Sequence, residues 1–537
     1  MALAGEAVMY GRFALGLKGF LRRRISVREA EAIVWRRMAQ RDETFLRILK
    51  RGFFDNPRSP YRPLLEMAGC RFGDVEKMVH ADGIEPTLHA LYDAGVYVTF
   101  EEFKGRAPIV RHGREFPVHA RDFDNPYLTR YYQAQTSGST GAGTRIRIDL
   151  EHLADELPFK VLQCHVHGVL HAPTAVWRPI LPATSGLSNC LRGPVVGNTP
   201  ERWFTPVASR DVRLPLKHRL ATEYILTAAR LLGHPLPRPE LVPLDEPGPV
   251  VDWVAQALRK AGACVISAFV SSALRVCVAA RDRRMDMTGV TFRGGGEPPT
   301  PGKVRAITDT GARWAPAYGT SESGQIGMPC GRPVDGNDLH VVKDAVALIQ
   351  REREVPHWSV SVGAFYVTTL LPSAAKLMLN AGIDDYGVLE TRSCGCPLES
   401  YGYTEHVRDI RSYSKITGEG LTLVGTDLER ILEEVLPARF GGTPLDYQLL
   451  EEEDENGFTR LSLLVSPRVK LQDDEAPLQA ILQALERGKL PEALAAAFWK
   501  QAGSLRARRQ EPVWSAGGKF MPLCVAERLK RATAARR

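Results

Sequence analysis

A chain of 537 residues with 44% hydrophobic and 25% charged side chains can bury a large core without disulfides, and this composition excludes a disordered or fibrous protein. A formal charge of +8 and a pI near 9.0 suit attraction of anionic small molecules, and without zinc-finger spacing or RNA-recognition aromatics they do not point to nucleic acid. The 9 cysteines are spread from Cys70 to Cys524 and make no secreted disulfide framework; no apolar run reaches membrane-spanning length, so the cytoplasm is the expected location.

Near the start, the stretch 11–21 is moderately apolar and is followed by Arg22, Arg23 and Arg24, the reverse order of a secretory leader. Phe13, Leu17, Phe20 and Leu21 share one helical face, expected to pack on the chain's own domain rather than on a membrane surface. Ser26 and Glu29 form a capping box that predicts one helix carrying Ile33, Val34, Met38, Phe45 and Leu49. From about residue 130, short apolar strands (264–267, 290–292, 366–371) alternate with helical stretches, the pattern of an α/β body. The texture changes near 411. Thr426 and Glu429 form a second capping box, predicting a helix that stops before Pro437. Strands at 447–450 and 460–465 flank Asn456-Gly457, a hairpin signal, and helices are expected at 478–485 and 491–500. The predicted organisation is a large N-terminal domain, 1–411, and a smaller α+β domain, 412–537.

The stretch richest in chemistry is Thr136-Ser-Gly-Ser-Thr-Gly-Ala-Gly-Thr144. Its glycines would turn backbone N–H groups toward an anion, and its hydroxyls add donors. Gly138 and Gly143 have nucleotide P-loop spacing, but Thr144 stands where that loop needs lysine; the dinucleotide pattern is also absent.

Taken with four later segments, this loop resembles the phosphate loop of the adenylate-forming superfamily of acyl-CoA synthetases, luciferases and peptide-synthetase adenylation domains. The segments are Gly294-Gly-Gly-Glu-Pro298, Ala317-Tyr-Gly-Thr-Ser-Glu322, Asp385-Tyr-Gly387 and Gly517-Gly-Lys519, with Arg411 and Gly420 at hinge spacing. Threonine in place of the loop lysine, the Tyr318-to-Glu322 motif and Ser59-Pro-Tyr-Arg-Pro-Leu-Leu-Glu66 are most similar to phenylacetate–CoA ligases. Tyr413 departs from the hinge pattern and leaves Arg408-Asp409 as a second alignment; the chain is also longer than a typical phenylacetate ligase.

The resemblance implies an α/β fold: a large multi-sheet N-terminal domain that binds ATP and acid, and a small mobile α+β C-terminal domain bearing the catalytic lysine. Thr136, Ser137, Gly138, Ser139, Thr140 and Gly141 would hold the β- and γ-phosphates. Gly296, Glu297, Tyr318, Gly319, Thr320 and Ser321 would line the nucleotide site, Glu322 would hold Mg²⁺, and Asp385 would take the ribose hydroxyls. Arg411 would flank the hinge, and Lys519 would bridge the α-phosphate and carboxylate oxygens. The implied partners are ATP, a small carboxylic acid, and coenzyme A or a carrier-protein thiol, with a homodimer as a candidate assembly. An amine or hydroxyl acceptor, or a nucleotide-binding relative without catalysis, is the alternative. On the residues alone, Asp385 could instead be a turn residue after Asp384, and Lys519 a solvated lysine. The acid pocket is expected around 268–274, 294–296 and 318–319, where Phe269, Ser271 and Ser272 suit aryl and aliphatic acids equally.

Cys330, His340, Cys394 and Cys396 form a second constellation. Three soft sulfurs and an imidazole suit a closed tetrahedral Zn²⁺ of structural type, and some phenylacetate–CoA ligase relatives have a similar arrangement. His165 and His167 are expected in packing or surface roles.

Overall fold

The computed structural model describes residues 2–135, 145–181, 183–206, 216–243, 246–296, 299, 301–354, 361–412, 428–453, 459–487, 505–514 and 520–525. The chain is a mixed α/β protein with several multi-stranded sheets. Among the described residues, no helix is long and apolar enough to cross a membrane.

The first helix, Ala2–Leu21, buries Phe13, Leu17, Phe20 and Leu21 against the body, and Phe13 meets Tyr132 edge-on at 5.3 Å. Its apolar face is therefore satisfied within the chain. The Ser26–Glu29 capping box is present, with the Glu29 N–H donating to Ser26 Oγ at 3.2 Å. The single helix expected after it is two, Val27–Ala39 and Arg41–Leu49. Gln40 leaves helical geometry at φ −102° and ψ 17°, so Ala30 and Val34 are buried independently of Phe45, Ile48 and Leu49.

A six-stranded, wholly parallel sheet lies at the centre of the site. Its order is Arg313–Pro316, Val290–Gly294, Cys264–Ala268, Thr174–Trp177, Arg202–Thr205, Pro239–Leu241. Cys264–Ala268 and Val290–Gly294 are buried along their whole length, as strands covered on both faces must be. Ala175, Trp177, Ile266 and Phe292 pack under the helices Gly248–Ala261 and Val270–Asp282. The opposite face looks toward Leu157–Val166 and Ser185–Val195. Strand order reverses between Thr174–Trp177 and Cys264–Ala268. At such a reversal the connections diverge and leave a crevice at the carboxyl ends of the strands.

A seven-stranded antiparallel sheet runs Tyr318–Thr320, Gly324–Pro329, Leu339–Val341, Glu405–Ser412, Ala381–Thr391, Ser361–Thr369, Val346–Glu354. Tyr131–Gln135 and Arg145–Asp149 pair as an antiparallel ribbon, so residues 136–144 connect its two strands.

The last strand of the seven-stranded sheet ends at Ser412, and a four-stranded sheet is built entirely from later residues: Leu505–Arg509, Thr459–Val465, Tyr447–Glu453, Leu523–Val525. Tyr447–Glu453 and Thr459–Val465 pair antiparallel, as expected of a hairpin, and Ala476–Glu486 is the expected helix. Thr426, Asn456-Gly457 and the helix expected at 491–500 lie outside the described residues. Helical structure does not stop before Pro437. Ile431–Val435 forms a wide π-turn, and Leu436–Phe440 continues with Pro437 in its first turn, where a missing N–H costs little. Leu445 and Phe520 of this region join the core beneath Val270–Asp282, and Lys303 meets Glu433 at 3.2 Å with both side chains buried.

Candidate active site and metal centre

A cavity of about 350 Å³ opens at the carboxyl ends of the parallel strands, beside the reversal in strand order. Gly294, Gly295 and Gly296 form one wall and residues 317–321 another. The walls meet so closely that only glycine fits. A Cβ on Gly294 would lie 1.8 Å from the Ala268 carbonyl oxygen, and one on Gly295 would lie 1.9 Å from that of Ala317.

Two motifs far apart in sequence converge here. The Tyr318 hydroxyl donates to Asp385 Oδ2 at 2.9 Å. Burial and the Asp385 charge push the Tyr318 phenol well above its usual range, so it stays a donor. Asp385 lies within the strand Ala381–Thr391 rather than in a turn, and pairs with Ser412 while Tyr386 pairs with Arg411. Gly387 allows the bulge beyond them, since a Cβ there would lie 2.6 Å from the Arg408 carbonyl oxygen.

Of the nucleotide-site residues read from the sequence, Gly296, Tyr318, Gly319, Thr320 and Ser321 line the cavity. Asp385 is joined to them through Tyr318, and the Arg411 backbone runs beside Asp385. Thr136, Ser137, Gly138, Ser139, Thr140, Gly141, Glu297 and Lys519 lie outside the described residues. Trp514 and Phe520 pair as an antiparallel bridge around residues 515–519, with their rings 5.1 Å apart. The Arg275 guanidinium stacks 3.5 Å from the Trp514 ring.

Glu322 is 5% exposed, and its Oε1 accepts from Lys104 Nζ at 2.6 Å. Lys376, which holds Asp124 at 2.8 Å, donates its backbone N–H to the Glu322 carbonyl at 3.0 Å. Among the described residues nothing donates to the second carboxylate oxygen of Glu322. One open carboxylate oxygen is a donor of the kind Mg²⁺ takes alongside phosphates and water.

The sequence reading missed the cationic wall of the cavity. Lys160, Arg178, Arg192 and Arg293 all line it, together with His152, Glu156, Gln163 and Asn189. Arg178 reaches the carbonyl oxygens of Ala268 and Gly295 and lies 4.2 Å from the Phe269 ring. Burial pushes the Glu156 carboxyl up, but Arg192, His152 and the Gln325 N–H outweigh it and hold the group below the usual carboxylate range. Phe269 lines the cavity as expected, whereas Ser272 does not contribute to its lining. One signal was available in the sequence: Arg293 is the one charge in a strand that is buried along its whole length.

The donor atoms of Cys330, His340, Cys394 and Cys396 all lie within 4.8 Å of one another. His340 Nδ1 lies 2.6 Å from the Tyr403 carbonyl oxygen, to which it can only donate, so Nε2 is the lone-pair nitrogen facing Cys394 Sγ at 3.6 Å. Backbone N–H groups point at the sulfurs: Gly331 at Cys396 (3.1 Å), Arg332 at Cys330 (3.3 Å) and Cys396 at Cys394 (3.3 Å). The hydrogen bond from Cys330, helped by backbone amides, outweighs burial and holds the Cys396 thiol far below its usual range, favouring thiolate. Three sulfurs, one imidazole oriented by a carbonyl and near-complete burial fit a closed Cys₃His zinc site. Next to it His406 Nδ1 meets Asp338 Oδ1 at 2.7 Å, Arg392 also reaches Asp338, and the His406 ring lies 4.1 Å from that of His340. His165 is exposed, and His167 faces the Pro329 carbonyl at 3.3 Å; neither lines the cavity.

Fold and site together define an α/β protein whose parallel sheet carries a polar, glycine-walled cavity at its strand-order reversal, with a thiol–imidazole cluster on the antiparallel sheet. No family model matches the chain, and no curated protein does. Among solved structures it is similar to a 2-hydroxyisobutyryl-CoA ligase in the postadenylation state, with 13% identity, 95% of this chain and 92% of that chain covered, and a TM-score of 0.48. It is also similar to the amide bond synthetase McbA from Marinactinospora thermotolerans (13% identity, 92% and 93% covered, TM-score 0.37) and to the acetoacetyl-CoA synthetase from Streptomyces lividans (14%, 76% and 55%, TM-score 0.43).

Proposed function

We propose that this chain is an adenylate-forming enzyme that activates a carboxylic acid with ATP and passes the acyl group to a thiol, coenzyme A in the first instance. The observation that carries this reading is the Tyr318–Asp385 hydrogen bond, which joins the 317–322 and 385–387 motifs across a cavity walled by Gly294, Gly295 and Gly296.

In the first step a carboxylate oxygen attacks the α-phosphorus; the bond to the β-bridging oxygen breaks, giving acyl-AMP and pyrophosphate. In the second step a thiolate attacks the acyl carbon and AMP leaves, giving the thioester. Asp385, oriented by Tyr318, accepts hydrogen bonds from the ribose hydroxyls. The glycine wall and residues 319–321 shape the adenine and acyl side of the site. Residues 136–141 hold the β- and γ-phosphates, and Lys519 stabilises charge growing between carboxylate and α-phosphate. Mg²⁺, bound with ATP, would be held by the open oxygen of Glu322 and would neutralise phosphate charge. Zn²⁺ would be held by Cys330, His340, Cys394 and Cys396 in a structural role. Domains 1–411 and 412–537 divide the work, the second carrying Lys519.

Acid-dependent exchange of labelled pyrophosphate into ATP tests the first half-reaction, and AMP release with and without coenzyme A tests the second. Exchange stimulated by an acid, with thioester formed only when coenzyme A is added, supports the reading. Exchange without thioester reassigns the acceptor to a carrier-protein thiol, an amine or a hydroxyl. Absence of exchange with every acid refutes it.

A further inference from the structure

One face of the parallel sheet carries a row of residues in register: Val176 opposite Ser267, Ser267 opposite Arg293, Arg293 opposite Ala315. On the two central strands the row runs just inside the carboxyl ends, under the helices Leu157–Val166 and Ser185–Val195. Arg293 therefore stands at the deep end of the cavity, one residue before its glycine wall, where a narrow extension shared with Lys160, Asn189 and Ser267 runs back between sheet and helices.

Arg293 is only 9% exposed, yet its partners are neutral: Cys164 Sγ at 3.1 Å and Asn189 Oδ1 at 3.5 Å. Lys160 Nζ reaches the same amide oxygen at 3.4 Å. Neither cation makes an ion pair among the described residues. Elsewhere a buried cation holds a carboxylate, as Arg111 does with Glu102, Lys303 with Glu433 and Lys376 with Asp124. Burial pulls the Arg293 guanidinium down to about 10, with no anion among the described residues restoring it. An unpaired guanidinium in a low-dielectric site is costly, and a ligand that brings the missing anion recovers that cost on binding.

We propose that the acid substrate is a dicarboxylate. One carboxylate is activated at the mouth of the cavity, and the distal one seats on Arg293 with Lys160 beside it. This rests on the adenylation reading and narrows it: Arg293 becomes the specificity-determining residue, and monocarboxylates with apolar tails become poor substrates. A guanidinium fork matches a carboxylate with two parallel hydrogen bonds, which an apolar tail leaves unmade.

The experiment pairs diacids with monoacids of equal chain length, four to eight carbons plus an aryl pair, in the pyrophosphate exchange assay on the full chain, wild type beside Arg293→Leu, Arg293→Lys and Lys160→Met. The wild type is expected to favour the diacid, and Arg293→Leu to raise its KM on the order of a hundredfold while leaving KM for ATP unchanged. Arg293→Lys should keep the ranking with weaker binding, and Lys160→Met should shift KM in the same direction by less. A readout free of catalysis accompanies these: the preferred diacid alone should raise the melting temperature of the wild type and not that of Arg293→Leu. Should Arg293→Leu fail to fold, the Lys and Met variants carry the comparison. A wild-type preference for monoacids, or a rise in KM for ATP instead of the acid, overturns the dicarboxylate assignment while leaving adenylation standing. Absence of exchange with every acid removes both.

Discussion

Replacing Tyr318 by Phe deletes one hydroxyl and little else. The hydrogen bond lost is 2.9 Å long and runs from a phenol that stays protonated to the half-buried carboxylate of Asp385. A hydrogen bond to a charged group is worth about 1.5–3 kcal/mol, or roughly 10- to 150-fold in an equilibrium constant. Because Asp385 is partly open to water, the lower end applies, so KM for ATP should rise about tenfold with KM for the acid unchanged. The sharper assay uses 2′-deoxy-ATP. If Asp385 receives the ribose hydroxyls, the wild type prefers ATP to its 2′-deoxy analogue. The preference shrinks in Tyr318→Phe, whose carboxylate is loosely held, and disappears in Asp385→Ala, which uses both nucleotides equally poorly. Retained discrimination in Asp385→Ala, with circular dichroism confirming the fold, would refute the ribose assignment and with it the meaning given to the Tyr318 contact.

Lys519→Ala should lower acyl-adenylate formation by about 10²–10³-fold while sparing transfer from preformed acyl-AMP; equal loss in both half-reactions would remove Lys519 from its role. Purified protein should hold one Zn²⁺ per chain, and Cys396→Ser should lose the metal and lower the melting temperature, whereas metal-free wild type of undiminished stability would exclude the site. Asp344 is buried, and although Arg37 and the Tyr403 hydroxyl pull its carboxyl down, burial prevails and raises it to about 6. The folded state thus holds this proton more tightly than the unfolded chain. Its contribution to stability is full below the unfolded carboxylate value and is lost as pH rises to about 6. Asp344→Asn should be more stable than wild type at pH 7.5 by about 3 kcal/mol, converging toward pH 4 in urea denaturation; a gap independent of pH would contradict this.

What the sequence disclosed follows the range of the interactions involved. Strands buried on both faces, such as Cys264–Ala268, read as continuous apolar runs, and the Ser26–Glu29 box is a contact between near neighbours. Gly294 and Gly295 stood out as a motif, although the reason they must be glycine is two carbonyl oxygens on other segments. The break at Gln40 and the π-turn before Pro437 were hidden, because tertiary packing decides which turn of a helix yields. The three cysteines and the histidine were legible from residue type; the Asp338–His406 pair beside them was not, since an aspartate and a histidine carry no signal of that kind. Lys104 and Glu322 are separated by 218 positions, and the cationic wall draws on two helices, a strand and the residue after another strand, so no local pattern could have assembled either. Arg293 follows directly on the strand expected at 290–292, and only the longer strand Val290–Gly294 puts its charge in a buried stretch.

Trp514 and Phe520 pair on either side of residues 515–519; the Trp514 ring lies against Arg275 and the Phe520 ring within 5.8 Å of Lys303 Nζ, whose ammonium is buried against Glu433. On the role proposed for Lys519, seating this segment and supplying its ammonium group become one event. On that same reading a substitution at Lys303 or Glu433 lowers turnover like an active-site lesion, and turnover becomes a gauge of how firmly Phe520 is seated.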